Sequence, residues 1–191
     1  MPYVQNALSF TIETIIGLYL IVVILRFLIQ LLRIDFRNPI SQSIFAVTNY
    51  PLRLLRPFIP GLYGIDLASV FLILIVAFLK YALLILVSGY SFSFIGILVL
   101  AIGEAINTTT WIFLIAIIVR AILSWVASSS RHPVLDILGG LSEPILGVFR
   151  RMLPDLKGLD LSPILAILAI NLVQKLVAYP IIDAGKMLMM N

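Results

Sequence analysis

Apolar residues run almost unbroken through Ala7 to Leu32, Leu67 to Val87, Ile106 to Val126 and Leu161 to Ile182. Each stretch reaches the roughly 20 residues that a helix needs to cross the hydrocarbon core of a bilayer. Four transmembrane helices are therefore predicted. Between the first and second, and again between the third and fourth, the pattern changes to an apolar stripe at helical spacing. Ile40, Ile44, Val47, Pro51, Leu55 and Phe58 form it in one loop, and Val134, Leu138, Leu141, Ile145, Phe149 and Met152 in the other. A stripe of period 3.6 with arginines beside it predicts a helix lying in the membrane interface, or else a shallow re-entrant segment. Pro51 and Pro144 are expected to break or kink these helices. The segment Ser91 to Gly103 is apolar but short, and fits either an interfacial connector or an early extension of the third span.

The chain repeats itself at an offset of 94 residues without a gap. Arg26 falls on Arg120, Pro39 on Pro133, Leu52 on Leu146 and Arg56 on Arg150. The run Pro60, Leu62, Gly64, Asp66, Leu67 falls on Pro154, Leu156, Gly158, Asp160, Leu161. Apolar residues coincide by chance in such a background, whereas Arg, Pro, Gly and Asp are scarce enough here to carry the signal. Each unit reads as span, basic loop, span: residues 7–90, a connector at 91–105, and residues 106–186. An even number of spans per unit makes the repeats parallel rather than inverted. The expected fold is an all-α membrane protein of two parallel tandem repeats, with four transmembrane helices and an amphipathic interfacial or re-entrant helix in each basic loop.

Both loops end on the same punctuation. Pro60 and Gly61 stop the first interfacial segment, Gly64 or Gly158 supplies a turn with positive φ, and Asp66 or Asp160 stands where an N-cap belongs. Pro60 and Pro154, Gly64 and Gly158, and Asp66 and Asp160 are thus expected to act as structural turn and cap residues. Capping explains the two aspartates better than catalysis or ion binding, because a carboxylate at a helix start opposes the positive end of the dipole. Pro163 agrees with a helix start there.

Composition narrows the picture further. With 62% apolar and 12% charged residues and a mean hydropathy of +1.15, the chain cannot cover itself with water. The net charge of +4 is concentrated in the loops. Arg33, Arg37, Arg53 and Arg56 lie in the first, and Arg131, Arg150, Arg151 and Lys157 in the second. The connector and the first ten residues have no Lys or Arg. The positive-inside rule then places both loops in the cytoplasm and both termini outside. Arg53, Arg56, Arg150 and Arg151 are the candidate contacts to anionic lipid or to a partner, and nucleic acid is not an expected ligand. The absence of cysteine excludes disulfides, thiolate metal sites and iron-sulfur clusters in this chain. His132 is the one histidine and cannot provide a metal or bis-His haem site alone. Nucleophile-elbow, Walker, dinucleotide and zinc-protease motifs are absent, so no catalytic residue, metal or cofactor is assigned. The first apolar stretch is too long for a signal peptide and has no basic residue before it, so it is expected to remain as a span.

The polar residues inside the spans need explanation, because a charge at the centre of a helix costs about 3 kcal/mol in lipid. Arg26 and Arg120 lie near the cytoplasmic ends of their spans. They fit either snorkelling to the interface or contact with an anion, a lipid phosphate or an acid in the bundle. Lys80 is nearer mid-span, with Gln174 and Lys175 at the corresponding place in the fourth helix. Glu13 and Glu104 are conceivable partners, although both are expected near the outer surface. Small residues are too scattered to name a helix-pairing face.

These features resemble the YggT family of small bacterial inner-membrane proteins. The residues that carry the resemblance are Arg26 and Arg120, Asn38-Pro39 and His132-Pro133 opening the loops, and Glu143-Pro144, Arg150-Arg151, Leu153-Pro154 and Gly158-Leu159-Asp160 closing the second. The resemblance runs from about Glu13 to Ile182. The first unit departs from it where Tyr50-Pro51 sets proline one residue later and Pro57 replaces the second arginine. It implies an accessory protein of the cell envelope, linked to osmotic or ion stress, to placement of the division machinery, or in plastids to cofactor assembly on a membrane cytochrome. The expected role is a non-enzymatic scaffold of the bacterial inner membrane, with anionic lipid and membrane or division proteins as partners and homo-oligomers allowed. The alternative is a small homo-oligomeric transporter or channel subunit with Lys80, Lys175, Arg26 and Arg120 along its path.

Overall fold

The computed structural model describes residues 2–89, 92–126, 132–153 and 160–190. Its elements are α1 (Pro2–Leu31), α2 (Pro39–Leu55), α3 (Leu67–Ser88), α4 (Phe94–Val126), α5 (Pro133–Met152), α6 (Ser162–Val173), a π-helical turn (Gln174–Ala178) and α7 (Tyr179–Met190). Four apolar helices are long enough to cross a membrane: Tyr3–Leu31, Leu67–Ser88, Phe94–Leu123 and Ser162–Met189. With two spans per repeat, the chain is a multi-pass membrane protein of two parallel tandem units. The apolar segment before the third span is helical from Phe94, where α4 begins, so residues 94–105 extend that span.

The spans pack α1 against α3, α3 against α4, and α4 along α7. Leu20, Val23, Ile24, Leu72, Ile73, Val76, Ala77, Ala101, Ile112 and Ala116 form the main core, shared between the repeats. Glycines allow the closest approach. A Cβ on Gly185 would lie 2.9 Å from the backbone nitrogen of Leu100, and one on Gly103 would lie 2.6 Å from Ile182 Cγ1. Gly96, Gly103 and Gly185, unremarkable along the sequence, thus come together as one pairing face between α4 and α7. The fourth span is interrupted by the π turn, in which the Tyr179 N–H donates to the Gln174 carbonyl. Pro180 explains it, since proline has no N–H for the preceding turn and its ring crowds the carbonyl four residues back.

The interfacial helices differ from expectation in two respects. Pro51 and Pro144 lie inside α2 and α5 without ending them, so neither proline breaks its helix and each loop carries one continuous helix. The buried face is also rotated. It consists of Ser41, Ile44, Thr48 and Leu52 in α2, and of Ile137, Leu141, Ser142 and Leu146 in α5. Val47 and Phe58, read as part of the apolar stripe, are exposed, as is Met152. Both helices start on a side-chain cap, Asn38 accepting from Ile40 N–H and His132 from Val134 N–H. They meet near these starts, where the Asn38 amide donates to the Pro133 carbonyl at 2.7 Å and Ile34 fills the space above Gly140.

Candidate functional site

The same polar dock joins each interfacial helix to its span. In the first repeat Arg26 Nη1 donates to Thr48 Oγ1 at 2.9 Å and to the Phe45 carbonyl at 3.2 Å. Thr48 Oγ1 in turn donates to the Ile44 carbonyl at 2.6 Å. In the second, 94 residues on, Arg120 Nη1 donates to Ser142 Oγ at 2.8 Å and to the Gly139 carbonyl at 3.4 Å, while Ser142 Oγ donates to the Leu138 carbonyl at 2.6 Å. A hydroxyl on α2 or α5 thus receives a guanidinium from the span and passes the bond to its own helix. Arg26 is only 2% exposed. Snorkelling is therefore replaced by burial against α2, with the Phe45 ring 4.4 Å from the guanidinium carbon as a second cover.

The repeats differ in how these charges are balanced. Arg120 Nη2 pairs with Glu143 at 2.7 Å, and the other Glu143 oxygen accepts from Arg150 Nη1 at 2.8 Å. Arg150 continues through Nε to Asp160 at 2.9 Å. The corresponding Arg56–Asp66 pair is present in the first repeat at 2.7 Å, with the carboxylate only 7% exposed. Asn49 stands where Glu143 would be, and Arg26 has no ion pair among the described residues.

Two of the four arginines expected to contact lipid or a partner, Arg53, Arg56, Arg150 and Arg151, are thus braces. Arg56 and Arg150 fasten the ends of α2 and α5 to the starts of α3 and α6, and Asp66 also accepts from Ser69 N–H and Oγ. Burial would raise the Asp66 carboxyl, but the bonds from Arg56 and Ser69 outweigh it and hold the group below its usual range. The hydrogen bond from Arg120, against a smaller effect of burial, likewise lowers Glu143. Arg53 and Arg151 are exposed and have no carboxylate partner among the described residues. Gly64 takes φ +82° beside Tyr63 at +51°, in a turn closed by reciprocal bonds between Leu62 and Ile65 at 3.0 and 2.9 Å. Asp66 caps α3, whereas Asp160 stands one residue ahead of the Leu161 cap position and bonds Ser162 N–H at 2.9 Å. Pro154 and Gly158 lie outside the described residues, as do Arg131 and Lys157.

Within the spans, Lys80 and Glu104 form an ion pair, 13% and 14% exposed, to which Tyr81 adds a hydrogen bond at 3.2 Å. Glu104 is therefore well inside α4 rather than in an outer connector, and it ties the two repeats together. Lys175 is on the exposed side of the fourth span, while its neighbour Gln174 is buried. Arg26, Arg120, Lys80 and Lys175 accordingly turn to four separate surroundings.

Two hollows accompany this framework. One of about 560 Å³, beside the Arg56–Asp66 pair, is lined by Gln30, Ile59, Pro60, Gly61, Gly64 and Ile65. The other, of about 270 Å³, is apolar and lies where Ile21 and Leu25 of α1, Trp111 and Ile115 of α4, and Leu138 and Leu141 of α5 converge. No group of three or more His, Cys, Asp or Glu suited to a metal occurs among the described residues.

The CCB3/YggT family model matches residues 5–87 and again 99–181, a separation of 99 − 5 = 94 and 181 − 87 = 94 residues. An uncharacterized protein of Pseudomonas aeruginosa is 40% identical over 175 residues, covering 91% of this chain and 89% of its own. The protein YggT of Escherichia coli K12 is 34% identical over 187 residues, 97% of this chain and 96% of its own. YlmG homolog protein 2, chloroplastic, of Arabidopsis thaliana is 44% identical over 55 residues, 29% of this chain and 22% of its own. No solved structure matches. Two matches at the offset of the internal repeat, together with relatives aligned over nearly the full length, establish that the chain belongs to the CCB3/YggT family.

Proposed function

We propose that the protein is a non-enzymatic accessory or scaffold protein of the bacterial inner membrane, whose α2 and α5 arms lie in the cytoplasmic interface and gather anionic lipid. The observation that carries this reading is the outer surface of the arms. Val47, Tyr50, Leu54 and Phe58 are exposed around Arg53, and Val148 and Met152 are exposed around Arg151. Exposed apolar side chains interleaved with guanidiniums that have no carboxylate partner among the described residues suit the zone between acyl chains and headgroups. A basic residue near an anionic leaflet contributes about 1 kcal/mol, so Arg53 and Arg151 suffice for a preference without irreversible binding. Arg56 and Arg150, spent on Asp66 and Asp160, hold the arms at their angle. In this reading the roles implied by the resemblance, in osmotic or ion stress tolerance, division-site organisation or membrane cofactor assembly, are carried out through partners recruited to the arms, and both termini face the outer side.

Purified wild-type protein and the Arg53→Gln/Arg151→Gln variant in nanodiscs of mixed phosphatidylglycerol and phosphatidylcholine provide the test. Native mass spectrometry is expected to find severalfold less phosphatidylglycerol retained by the variant at unchanged stability. Equal retention would refute the lipid-gathering role.

A further inference from the structure

The turn between the first arm and α3 holds an aromatic residue in a strained conformation. Tyr63 and Gly64 are its central residues, at φ +51° and +82°, and the Leu62 and Ile65 backbones close it with reciprocal bonds. A two-residue turn with positive φ at both central positions is filled most easily by Asn-Gly or Gly-Gly. A bulky side chain there is an outlier, because its Cβ crowds the backbone. The conformation persists because the loop is fastened on both sides. Ile59 packs on the core before the turn, and the Arg56–Asp66 pair spans it. At the same place in the second repeat, 94 residues on, Lys157 precedes Gly158, so the sequence pattern of the turn does not itself call for a ring.

The strain brings the ring no partner inside the molecule. Tyr63 is 96% exposed, its hydroxyl has no hydrogen bond among the described residues, and Leu62 beside it is 55% exposed. Position in the chain decides what meets these side chains. Tyr63 stands four residues before Leu67 (67 − 63 = 4), where the second span begins. At no more than about 3.5 Å per residue, the tip of the turn lies within about 14 Å of the start of that span. The polar zone on each side of the hydrocarbon core is about 5–8 Å thick and occupies this region. Tyrosine suits that zone, with its ring against the upper acyl chains and its hydroxyl among ester and phosphate oxygens.

We propose that Tyr63, with Leu62 beside it, is a membrane anchor: the strained turn sets the ring in the interfacial zone of the bilayer and so fixes the level of the joint between α2 and α3. Transfer of the ring from water into the interface offsets the strain of holding it there. The second repeat carries a cation at the equivalent place, so the two joints meet the bilayer by different chemistry. The inference rests on the chain spanning a membrane and not on Arg53 or Arg151, so it can fail while lipid gathering by the arms stands, and the reverse.

Tyr63→Trp in a Trp111→Phe/Trp125→Phe background makes the tip the one tryptophan of the chain. In liposomes its fluorescence is titrated with aqueous acrylamide and with phosphatidylcholines brominated at the top or at the end of their acyl chains. Bromines at the top are expected to quench severalfold more than bromines at the end, and acrylamide severalfold less than it quenches free tryptophan. A nitroxide on Leu62→Cys, in a chain with no other cysteine, reads the level of the joint without touching either tryptophan. Its accessibility to oxygen is expected to exceed that to a water-soluble nickel chelate, and Tyr63→Ser to reverse the ratio while Tyr63→Phe retains it. Strong acrylamide quenching with no response to brominated lipid, or a Leu62→Cys label indifferent to Tyr63→Ser, would overturn the anchor. Shielding of the Tyr63→Trp tip from acrylamide in native membranes but not in liposomes would assign it to a protein partner and overturn the anchor as well.

Discussion

At the scale of single residues, the arginine docks convert a liability in the membrane into a joint. Arg26 is about 7.5 Å from the end of α1, too deep to be left unpartnered, and a hydroxyl on the neighbouring helix accepts it. Thr48→Val keeps the shape and removes that acceptor. It is expected to destabilise the fold by about 1–3 kcal/mol, the penalty for leaving a buried donor unsatisfied. Ser142→Ala is expected to do less, since Arg120 retains Glu143. Chemical denaturation of the two variants in detergent makes the comparison, and equal losses would contradict it. Asp66 adds a pH dependence. Its carboxyl is held below the ordinary value near 3.9, so its contribution is fully present above about pH 4 and disappears as pH falls through the lower folded value. Thermal midpoints of wild type and Asp66→Asn should therefore differ at neutral pH and converge in acid. The arginines, their spacing and the absence of Glu at 49 were all legible in the sequence. The docking hydroxyls were not, because Thr48 and Ser142 sit among apolar residues and a stripe drawn through Ile, Val and Leu passes beside them.

At the scale of elements, close packing of α4 on α7 rests on three glycines from separate parts of the chain. Gly185→Ala sets a methyl 2.9 Å from the Leu100 backbone, which no side-chain rotation relieves. The helices must part, and a loss of about 1–3 kcal/mol is expected in the same denaturation assay. Gly17, whose Cβ would meet nothing within 4 Å, is the control, and Gly17→Ala should be neutral or slightly stabilising. This pairing face was hidden in the sequence because its members are 89 residues apart from Gly96 to Gly185 (185 − 96 = 89) and join only once the repeats fold on each other. The prolines misled in a different way. Pro51 and Pro144 are the strongest helix breakers in the loops, yet α2 and α5 continue through them, because the opposite faces are buried and capped firmly enough to outweigh the lost backbone bond. Pro180 acts more as its chemistry suggests, by forcing the π turn.

At the scale of the molecule, the spans and the repeat were legible because both depend on patterns that hold in any context: runs long enough to cross lipid, and scarce residues returning after 94 positions. Glu104 was a conceivable partner for Lys80 in the sequence but was placed near the outer surface, whereas α4 begins ten residues earlier and carries it into the bundle. Lys80→Leu is expected to destabilise the molecule by about 3–5 kcal/mol, since it strands a buried carboxylate, while Lys80→Leu with Glu104→Leu recovers most of that loss. A double-mutant cycle in detergent measures the coupling. The pair joins the repeats, while the docks and braces join each arm to its own repeat, so the bundle and the arms respond to different substitutions.

The central claim is that α2 and α5 lie in the headgroup zone with their outer faces toward lipid. Nitroxides placed singly at Phe58, which is 83% exposed, and at Met152 in otherwise native protein in anionic bilayers measure depth by collision with oxygen and with a water-soluble nickel chelate. Accessibility to both reagents, at a depth within about 10 Å of the phosphates, is the result expected. Free access of the nickel chelate with no preference for oxygen at either site would place the arms in water and contradict the account.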